Sequence, residues 1–207
     1  RLLRAGGLDE TLAATAEATA RGITRGDLRK VRANALRRKG EALHAQGHFS
    51  DACTLFRESL DTVDDWATWL DLGVALRSLS RPEDAVIAYR EALARHDHPR
   101  IHGNLGNALA LIGETAEAEG ELRQAVAAAP EEATYAYNLG ALLTENGRPD
   151  EALPFLDKAL ALRPDDPDSL TNKGVALVAL GRVQDAIPCY RKAIARRPDS
   201  AEAHYDL

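Results

Sequence analysis

The sequence between residues 133 and 166 is ATYAYNLGALLTENGRPDEALPFLDKALALRPDD. Small and apolar residues recur in it every three or four positions, which is the spacing of one face of an α-helix. The pattern predicts a first helix over residues 134–145 and a second over residues 150–162. Between them the turn NGRP places Gly147 at a helix end and Pro149 at a helix start, the positions that these residues favour. Prolines at 164 and 167 end the second helix.

The same pattern occurs five times, at intervals of 33 or 34 residues. Each occurrence has a glycine, a leucine three residues later and, twelve residues after the glycine, an alanine preceded by an acidic residue. The glycines are Gly40, Gly73, Gly106, Gly140 and Gly174, and the alanines are Ala52, Ala85, Ala118, Ala152 and Ala186. Repetition at this period is the signature of stacked helix pairs.

These columns resemble the tetratricopeptide repeat (TPR) family. The family's 34-residue repeat also carries a bulky apolar residue, here Phe56, Tyr89, Leu122, Leu156 and Tyr190, and a second small residue, here Ser59, Ala92, Ala125, Ala159 and Ala193. The resemblance implies an all-α fold, a right-handed superhelical solenoid of antiparallel helix pairs. We expect the small residues to let the two helices approach closely. We expect the bulky residues to fill the space between neighbouring repeats.

The resemblance also divides the chain. It gives five tandem repeats, at residues 33–65, 66–98, 99–132, 133–166 and 167–200. Residues 1–32 are predicted to be a degenerate half-repeat or an N-terminal capping helix, and residues 201–207 the start of a sixth repeat or a C-terminal cap.

The two ends carry more detailed predictions. Residues 1–6 are predicted to end one helix, and residues 8–21 to form the next, which Gly22 ends before a hinge at residues 22–27. A cut sixth repeat would leave Leu170, Leu177 and Leu180 near an apolar end face with no partner from the preceding part of the chain. We expect residues 201–207 or another molecule to cover that face, or the end to fray.

Three asparagines are the clearest functional signal. In the TPR family the first helices line a concave groove, and Asn104, Asn138 and Asn172 occupy the same groove position in successive repeats, with Asn107 one turn further along. An amide can donate to and accept from the backbone of an extended peptide. The row resembles the asparagine ladder of O-GlcNAc transferase repeats, and for that role the amides should be free of intramolecular partners. The alternative is a row of solvated asparagines.

Other groove positions carry charge or an aromatic ring. Arg38 and Asp71 occupy the ladder position in the first two repeats, Arg77 occupies another groove position, and Tyr137 offers an apolar contact. Groove charges are basic toward the N-terminal half and acidic toward the C-terminal half. Such charge would orient a partner, although an ordinary solvated helix face would show the same residues.

A second recognition mode of the family is excluded. The carboxylate clamp that grips chaperone tails needs three cations, and Gly103, Asp168 and Asn172 stand at those positions. A bound carboxylate would therefore lack its charged partners.

Composition excludes several classes of protein. The formal net charge is −6, which argues against a general nucleic-acid binder. No window approaches the eighteen apolar residues of a membrane span, so no membrane association is predicted. Two cysteines in a chain of this length indicate a reducing compartment, so we predict a cytoplasmic location.

Candidates for catalysis are few. His96, His98 and His102 cluster near an aspartate, but their spacing matches no closed metal site. Cys53 and Cys189 lie among apolar residues and are predicted to be small buried hydrophobic groups. The sequence contains no nucleophile elbow, P-loop, zinc-protease motif or dinucleotide fingerprint. We therefore predict no enzyme, no cofactor and no metal.

Three hypotheses for function follow. The first is a non-catalytic protein–protein interaction scaffold that binds an extended peptide or a partner protein in its groove. The second is the substrate-recognition arm of a larger enzyme, such as an O-GlcNAc-type glycosyltransferase. The third is self-association through exposed terminal helices.

Overall fold

The computed structural model describes residues 5–22 and 26–197. Within these ranges the chain forms eleven α-helices and no strand, as the all-α prediction requires. The helices are α1 (Ala5–Ala20), α2 (Gly26–Ala45), α3 (Phe49–Thr62), α4 (Trp66–Ser78), α5 (Pro82–Arg95), α6 (Pro99–Leu111), α7 (Thr115–Ala128), α8 (Ala133–Glu145), α9 (Pro149–Leu162), α10 (Pro167–Ala179) and α11 (Val183–Arg196).

The helices group into two compact units, residues 1–97 and 98–207. In the first unit α2 pairs with α3 and α4 with α5, the two pairs are in contact, and α1 packs on α2. In the second unit the pairs are α6 with α7, α8 with α9 and α10 with α11, and each pair contacts the next. Helix pairs therefore stack within each unit, the arrangement expected of a helical repeat.

Local sequence signals set the helix ends. The two helices of residues 133–166 begin and end within one residue of their predicted bounds. Gly147 adopts a φ of 69° just after α8, a left-handed conformation that glycine reaches without strain. Pro149 is the first residue of α9, where its missing N–H would have had no partner within the helix.

The N-terminal segment differs in part from its prediction. Helix α1 already begins at Ala5 and contains Gly6, so the predicted turn at residues 1–6 is wrong where the structure describes it. The end at Gly22 is confirmed, with a φ of 76°. Lys39 of α2 pairs with Asp9 of α1 at 2.5 Å. Residues 1–4, half of the predicted hinge (23–25) and the predicted start of a sixth repeat (201–207) lie outside the described residues, whereas residues 26–27 of that hinge belong to α2.

Each repeat is centred on a contact between its helical glycine and its bulky residue. A methyl group built on Gly106 would lie 2.7 Å from Leu122 Cγ and 3.1 Å from the carbonyl oxygen of Ala118. The other four glycines face Phe56, Tyr89, Leu156 and Tyr190 of their own repeats in the same way. We expected the bulky residue to fill the space between neighbouring repeats. That expectation stays a prediction for most repeats; in the fifth, Leu153 of the preceding repeat packs against the buried cluster that contains Tyr190.

The two alanine columns complete the core. Ala118 and Ala125 have no exposed surface, and their counterparts in the other repeats are at most 1% exposed. The exception in residue type is Ser59, whose hydroxyl donates to the carbonyl of Ala33 at 2.8 Å and so satisfies its polar atom inside the core.

Ion pairs at the surface join a second helix to the segment that precedes the first helix of its own pair. In the first unit Arg95 of α5 makes a bidentate contact with Asp64, which precedes α4, at 2.5 and 2.7 Å. The Trp69 indole N–H also donates to Asp64 at 2.8 Å. The hydrogen bonds from Arg95 and Trp69 lower the pKa of Asp64. In the second unit Arg196 of α11 pairs with Asp165, which precedes α10, through one contact at 2.7 Å.

The expected apolar end face does not include Leu170 or Leu177. Both are buried, at 5% and 2% exposure. Leu170 packs with Ala193, and Leu177 packs with Ala186 and Tyr190, all of α11. The prediction that these leucines lack a partner from the part of the chain before residues 201–207 is wrong because the second helix of their own repeat covers them.

Replacing Ala118 by leucine should lower the free energy of unfolding by about 1–3 kcal/mol, because the crossing of α6 and α7 has no space for the added atoms. Chemical denaturation measures this change. The matched control is Ala116→Leu, since Ala116 is exposed on the same helix. An Ala118→Leu variant that unfolds at the same denaturant concentration as the wild type would contradict the assigned packing.

Two glycine substitutions should have opposite effects. Gly120 lies in α7 with nothing within 4 Å of an added methyl group, so Gly120→Ala should stabilise the protein by about 0.5–1 kcal/mol. Gly106→Ala gains the same helix propensity but presses against the Ala118 backbone and should be destabilising by about 1–3 kcal/mol. Thermal melts of both variants test the pair. A stabilised Gly106→Ala variant would show that the contact is looser than described.

Candidate functional site

The candidate site lies on the first helices of the second unit. Helix α6 contacts α8, and α8 contacts α10. Asn104, Asn138 and Asn172 occupy equivalent positions on these three helices, and all three are half-buried. Residues three and four positions apart on a helix share a face, so Asn107 lies beside Asn104 on α6.

Three of the predicted asparagines meet in one cavity. An open cavity of about 260 Å³ lies between α6 and α8, and Asn104, Asn107 and Asn138 line it. Its other lining residues are Arg100, Gly103, Glu132, Thr134 and Tyr135. Asn172 does not line this cavity, because it lies on α10 beside Tyr137. The structure thus brings three of the four asparagines together.

The prediction that the asparagine amides have no intramolecular partner is wrong for Asn104 and Asn172. Asn104 Nδ2 donates to the Arg100 carbonyl at 2.8 Å, and Asn172 Nδ2 donates to the Asp168 carbonyl at 3.1 Å. Asn146, which is not a groove residue, makes the same bond to the Leu142 carbonyl, so the contact is a local property of asparagine on a helix. Each bond uses one amide hydrogen and leaves the amide oxygen as an acceptor.

Tyr137 and Asn172 touch across neighbouring helices. The Asn172 Nδ2 atom lies 3.5 Å from the Tyr137 hydroxyl. Sequence reasoning assigned Tyr137 an apolar contact, whereas its hydroxyl faces the amide row. The Asn172 amide therefore has two acceptors nearby, and its oxygen is the atom better placed to meet a ligand.

Tyr135 is a wall of the cavity that sequence reasoning missed. A methyl group on Gly103 would lie 2.5 Å from Tyr135 Cε1, so the ring lies directly against the glycine backbone. Burial raises the pKa of the Tyr135 phenol, and the negative charge of Glu132 raises it further, so the hydroxyl keeps its proton at neutral pH. The signal was present in the sequence, because Gly103 stands where the other repeats have Arg37, Leu70, Tyr137 and Thr171.

The remaining predicted residues belong to the first unit. Asp71 of α4 accepts from Arg37 Nη1 of α2 at 3.0 Å, and its side chain is only 14% exposed. Asp71 therefore joins α2 to α4. Arg38 and Arg77 are exposed.

The histidines have structural contacts. His98 caps α6 by accepting from the Arg100 N–H at 3.1 Å, and the His96 ring lies 4.7 Å from the Trp66 ring. His102 is buried, with Nδ1 2.5 Å from Glu121 Oε2. No group of three metal-ligating side chains occurs in the part of the chain that the structure describes.

The cysteines differ from each other. Cys53 is buried, as predicted, but Cys189 is only half-buried, so the prediction is wrong for the second residue. Burial raises the pKa of both thiols, which disfavours the reactive thiolate.

Comparisons with known proteins define the family. Tetratricopeptide repeat family models match residues 33–58, 70–129, 105–167 and 143–207. No curated protein sequence matches the chain. None of the described helices is both long and apolar enough to cross a membrane.

Solved structures share the fold. The MamA protein is 22% identical with a TM-score of 0.71, and the match covers 84% of this chain and 96% of that one. YrrB, described as a TPR protein with an unusual peptide-binding site, is 20% identical with a TM-score of 0.70, over 83% and 89% of the two chains. A tetratricopeptide repeat protein from Parabacteroides merdae is 18% identical with a TM-score of 0.72, over 84% and 70%. Because the matching repeat models together span more than half of its length, the chain belongs to the tetratricopeptide repeat family.

Proposed function

We propose that this chain is a non-catalytic protein–protein interaction scaffold that binds an extended peptide, or an extended segment of a partner protein, across α6, α8 and α10. The observation that supports this function best is the cavity in which Asn104, Asn107 and Asn138 meet. Asn172 and Tyr137 extend the same surface onto α10. YrrB, which shares the fold, is described as having a peptide-binding site.

The chemistry of the surface suits a peptide backbone. Each amide oxygen accepts from a peptide N–H, and the amide hydrogen that is not bonded to the helix donates to a peptide carbonyl. The intrahelical bonds of Asn104 and Asn172 hold their amides in one orientation, so less freedom is lost on binding. Each contact replaces contacts with water, so its net value is modest, about 0.5–1.5 kcal/mol.

One alternative function and three further predictions from the sequence remain alongside this proposal. The alternative of a substrate-recognition arm would use the same face to present an acceptor chain to a catalytic domain, and the full-length gene would distinguish the two. The absence of a nucleic-acid partner, self-association through terminal helices and the cytoplasmic location stay predictions.

The triple variant Asn104→Ala, Asn138→Ala, Asn172→Ala should bind an extended peptide about tenfold or more weakly, because each substitution removes a donor and an acceptor. The probe is a dodecapeptide selected by display on the wild-type chain, and calorimetry measures its affinity. The control is Gln124→Ala with Gln184→Ala, which removes two exposed amides from α7 and α11.

Unchanged affinity in the triple variant, with its helical circular dichroism intact, would overturn the assignment of this face. Methylating the backbone nitrogens of the probe adds a second readout. Methylation should lower the affinity of the wild type sharply, because it removes the peptide N–H groups that donate to the asparagine side chains. It should lower the affinity of the triple variant less, because those side chains are absent there.

Gly103→Ala should weaken peptide binding with little change in stability. The added methyl group pushes the Tyr135 ring into the cavity between α6 and α8. The cost of moving the ring is offset by the better helix propensity of alanine, about 1 kcal/mol. A titration and a thermal melt measure the two quantities, with Gly120→Ala as the control. Equal affinity of Gly103→Ala and wild type would show that the ligand does not enter the cavity.

A further inference from the structure

Helix α2 of the first unit is strongly basic, and most of its basic residues have local partners. Arg29 donates to the Thr62 carbonyl at the end of α3 at 2.9 Å, and Arg32 pairs with Glu58 at 2.6 Å. Lys39 pairs with Asp9 of α1, and Arg37 pairs with Glu41 and with Asp71 of α4. These contacts fasten α2 to the helices around it.

Two basic residues of α2 do not fasten it to a neighbouring helix. Among the residues that the structure describes, Lys30 and Arg38 take part in no ion pair, and both are exposed. Asn34, also exposed, lies midway between them. Positions four and eight residues apart share one helix face, and at 1.5 Å per residue the two cations are separated by about 12 Å along the axis.

A cavity lies beside this row. It has a volume of about 320 Å³, and its lining includes Lys30, Asn34 and Arg37 of α2 together with Asp65 and Thr68 at the start of α4. The Asp65 carboxylate already caps α4, accepting from the N–H and the hydroxyl of Thr68 at 3.2 Å each. Both ion pairs of Arg37 use the single nitrogen Nη1. The cavity therefore borders two cations, Lys30 and Arg37. The carboxylate in its lining, that of Asp65, is already hydrogen-bonded to Thr68.

We propose that Lys30, Asn34, Arg37 and Arg38, the α2 surface, bind an acidic segment of an extended peptide. An extended chain advances about 3.3 Å per residue, so about 12 Å corresponds to nearly four residues. Side chains four residues apart in an extended chain point to the same side. Two carboxylates at that spacing would meet Lys30 and Arg38, and the intervening backbone would lie at Asn34.

A peptide fits the surface better than nucleic acid does. Residues 1–97 contain 15 Lys or Arg residues and 15 Asp or Glu residues, a net charge of zero, so the first unit lacks the broad basic field of a nucleic-acid binder. What the α2 surface offers is instead a short row, with the cations Lys30 and Arg38 on either side of the polar amide of Asn34. The inference rests on the proposed function only in taking a peptide as the ligand, since it concerns different residues in the other unit.

The test is a fluorescence-anisotropy titration of the full chain with labelled heptapeptides of serine and threonine. One carries glutamate at its second and sixth positions, a second carries glutamine there, and a third carries two adjacent glutamates. The double variant Lys30→Ala, Arg38→Ala should bind the first peptide about three- to twentyfold more weakly than wild type, since each exposed charge pair contributes modestly. The matched control is Arg57→Ala with Arg191→Ala, which removes two exposed cations from α3 and α11.

The proposal requires that the spaced glutamate peptide binds more tightly than the other two and that added salt weakens it. Equal losses in both double variants, no binding at millimolar peptide, or equal binding of a single-stranded oligonucleotide of the same charge would each overturn it. The Asn104, Asn138 and Asn172 triple variant is titrated in parallel. It should bind the glutamate peptide as the wild type does, so failure of the asparagine face and failure of the α2 surface give different results.

Discussion

The close contact between a helical glycine and the bulky side chain of its own repeat determines how every pair packs. Glycine inside a helix costs about 1 kcal/mol relative to alanine. That cost is offset because a side chain at Gly106 would collide with Leu122 and with the Ala118 carbonyl. The bare backbone lets the second helix approach until Ala118 and Ala125 are completely buried. One face of each first helix is thereby occupied by packing, and the other face is available for binding.

The surface ion pairs add little to the stability of the stack. Arg95 contacts Asp64 in the first unit and Arg196 contacts Asp165 in the second, each joining the last turn of a second helix to the segment before a first helix. Exposed pairs of this kind contribute about 0–1 kcal/mol each. Burial of the apolar core, with side chains such as Phe56, Tyr89 and Leu122, therefore supplies most of the stability.

The sequence alone predicted the features that follow from the repeat period, namely the helix bounds and the buried positions. The columns predicted the helices of residues 133–166 to within one residue and placed Ala118 in the core. Period alone could not predict contacts that depend on the side-chain conformation or on the neighbouring helix. The bond from Asn104 to the Arg100 carbonyl, the ring of Tyr135 against Gly103 and the pair of Arg37 with Asp71 are of this kind.

The groove position that carries asparagine in the second unit shows why a repeat can keep its fold and change its ligand. In the second repeat the same position carries Asp71, which is held by Arg37 and is only 14% exposed, so it serves packing. In the second unit it carries neutral amides that need no counter-charge and keep an acceptor directed away from the helix. An amide recognises what all peptides share, whereas a charge selects for composition and loses strength in salt. For the proposed peptide ligand, one substitution at this position would therefore decide between general and selective recognition, on a helix face that is not needed for the glycine contact.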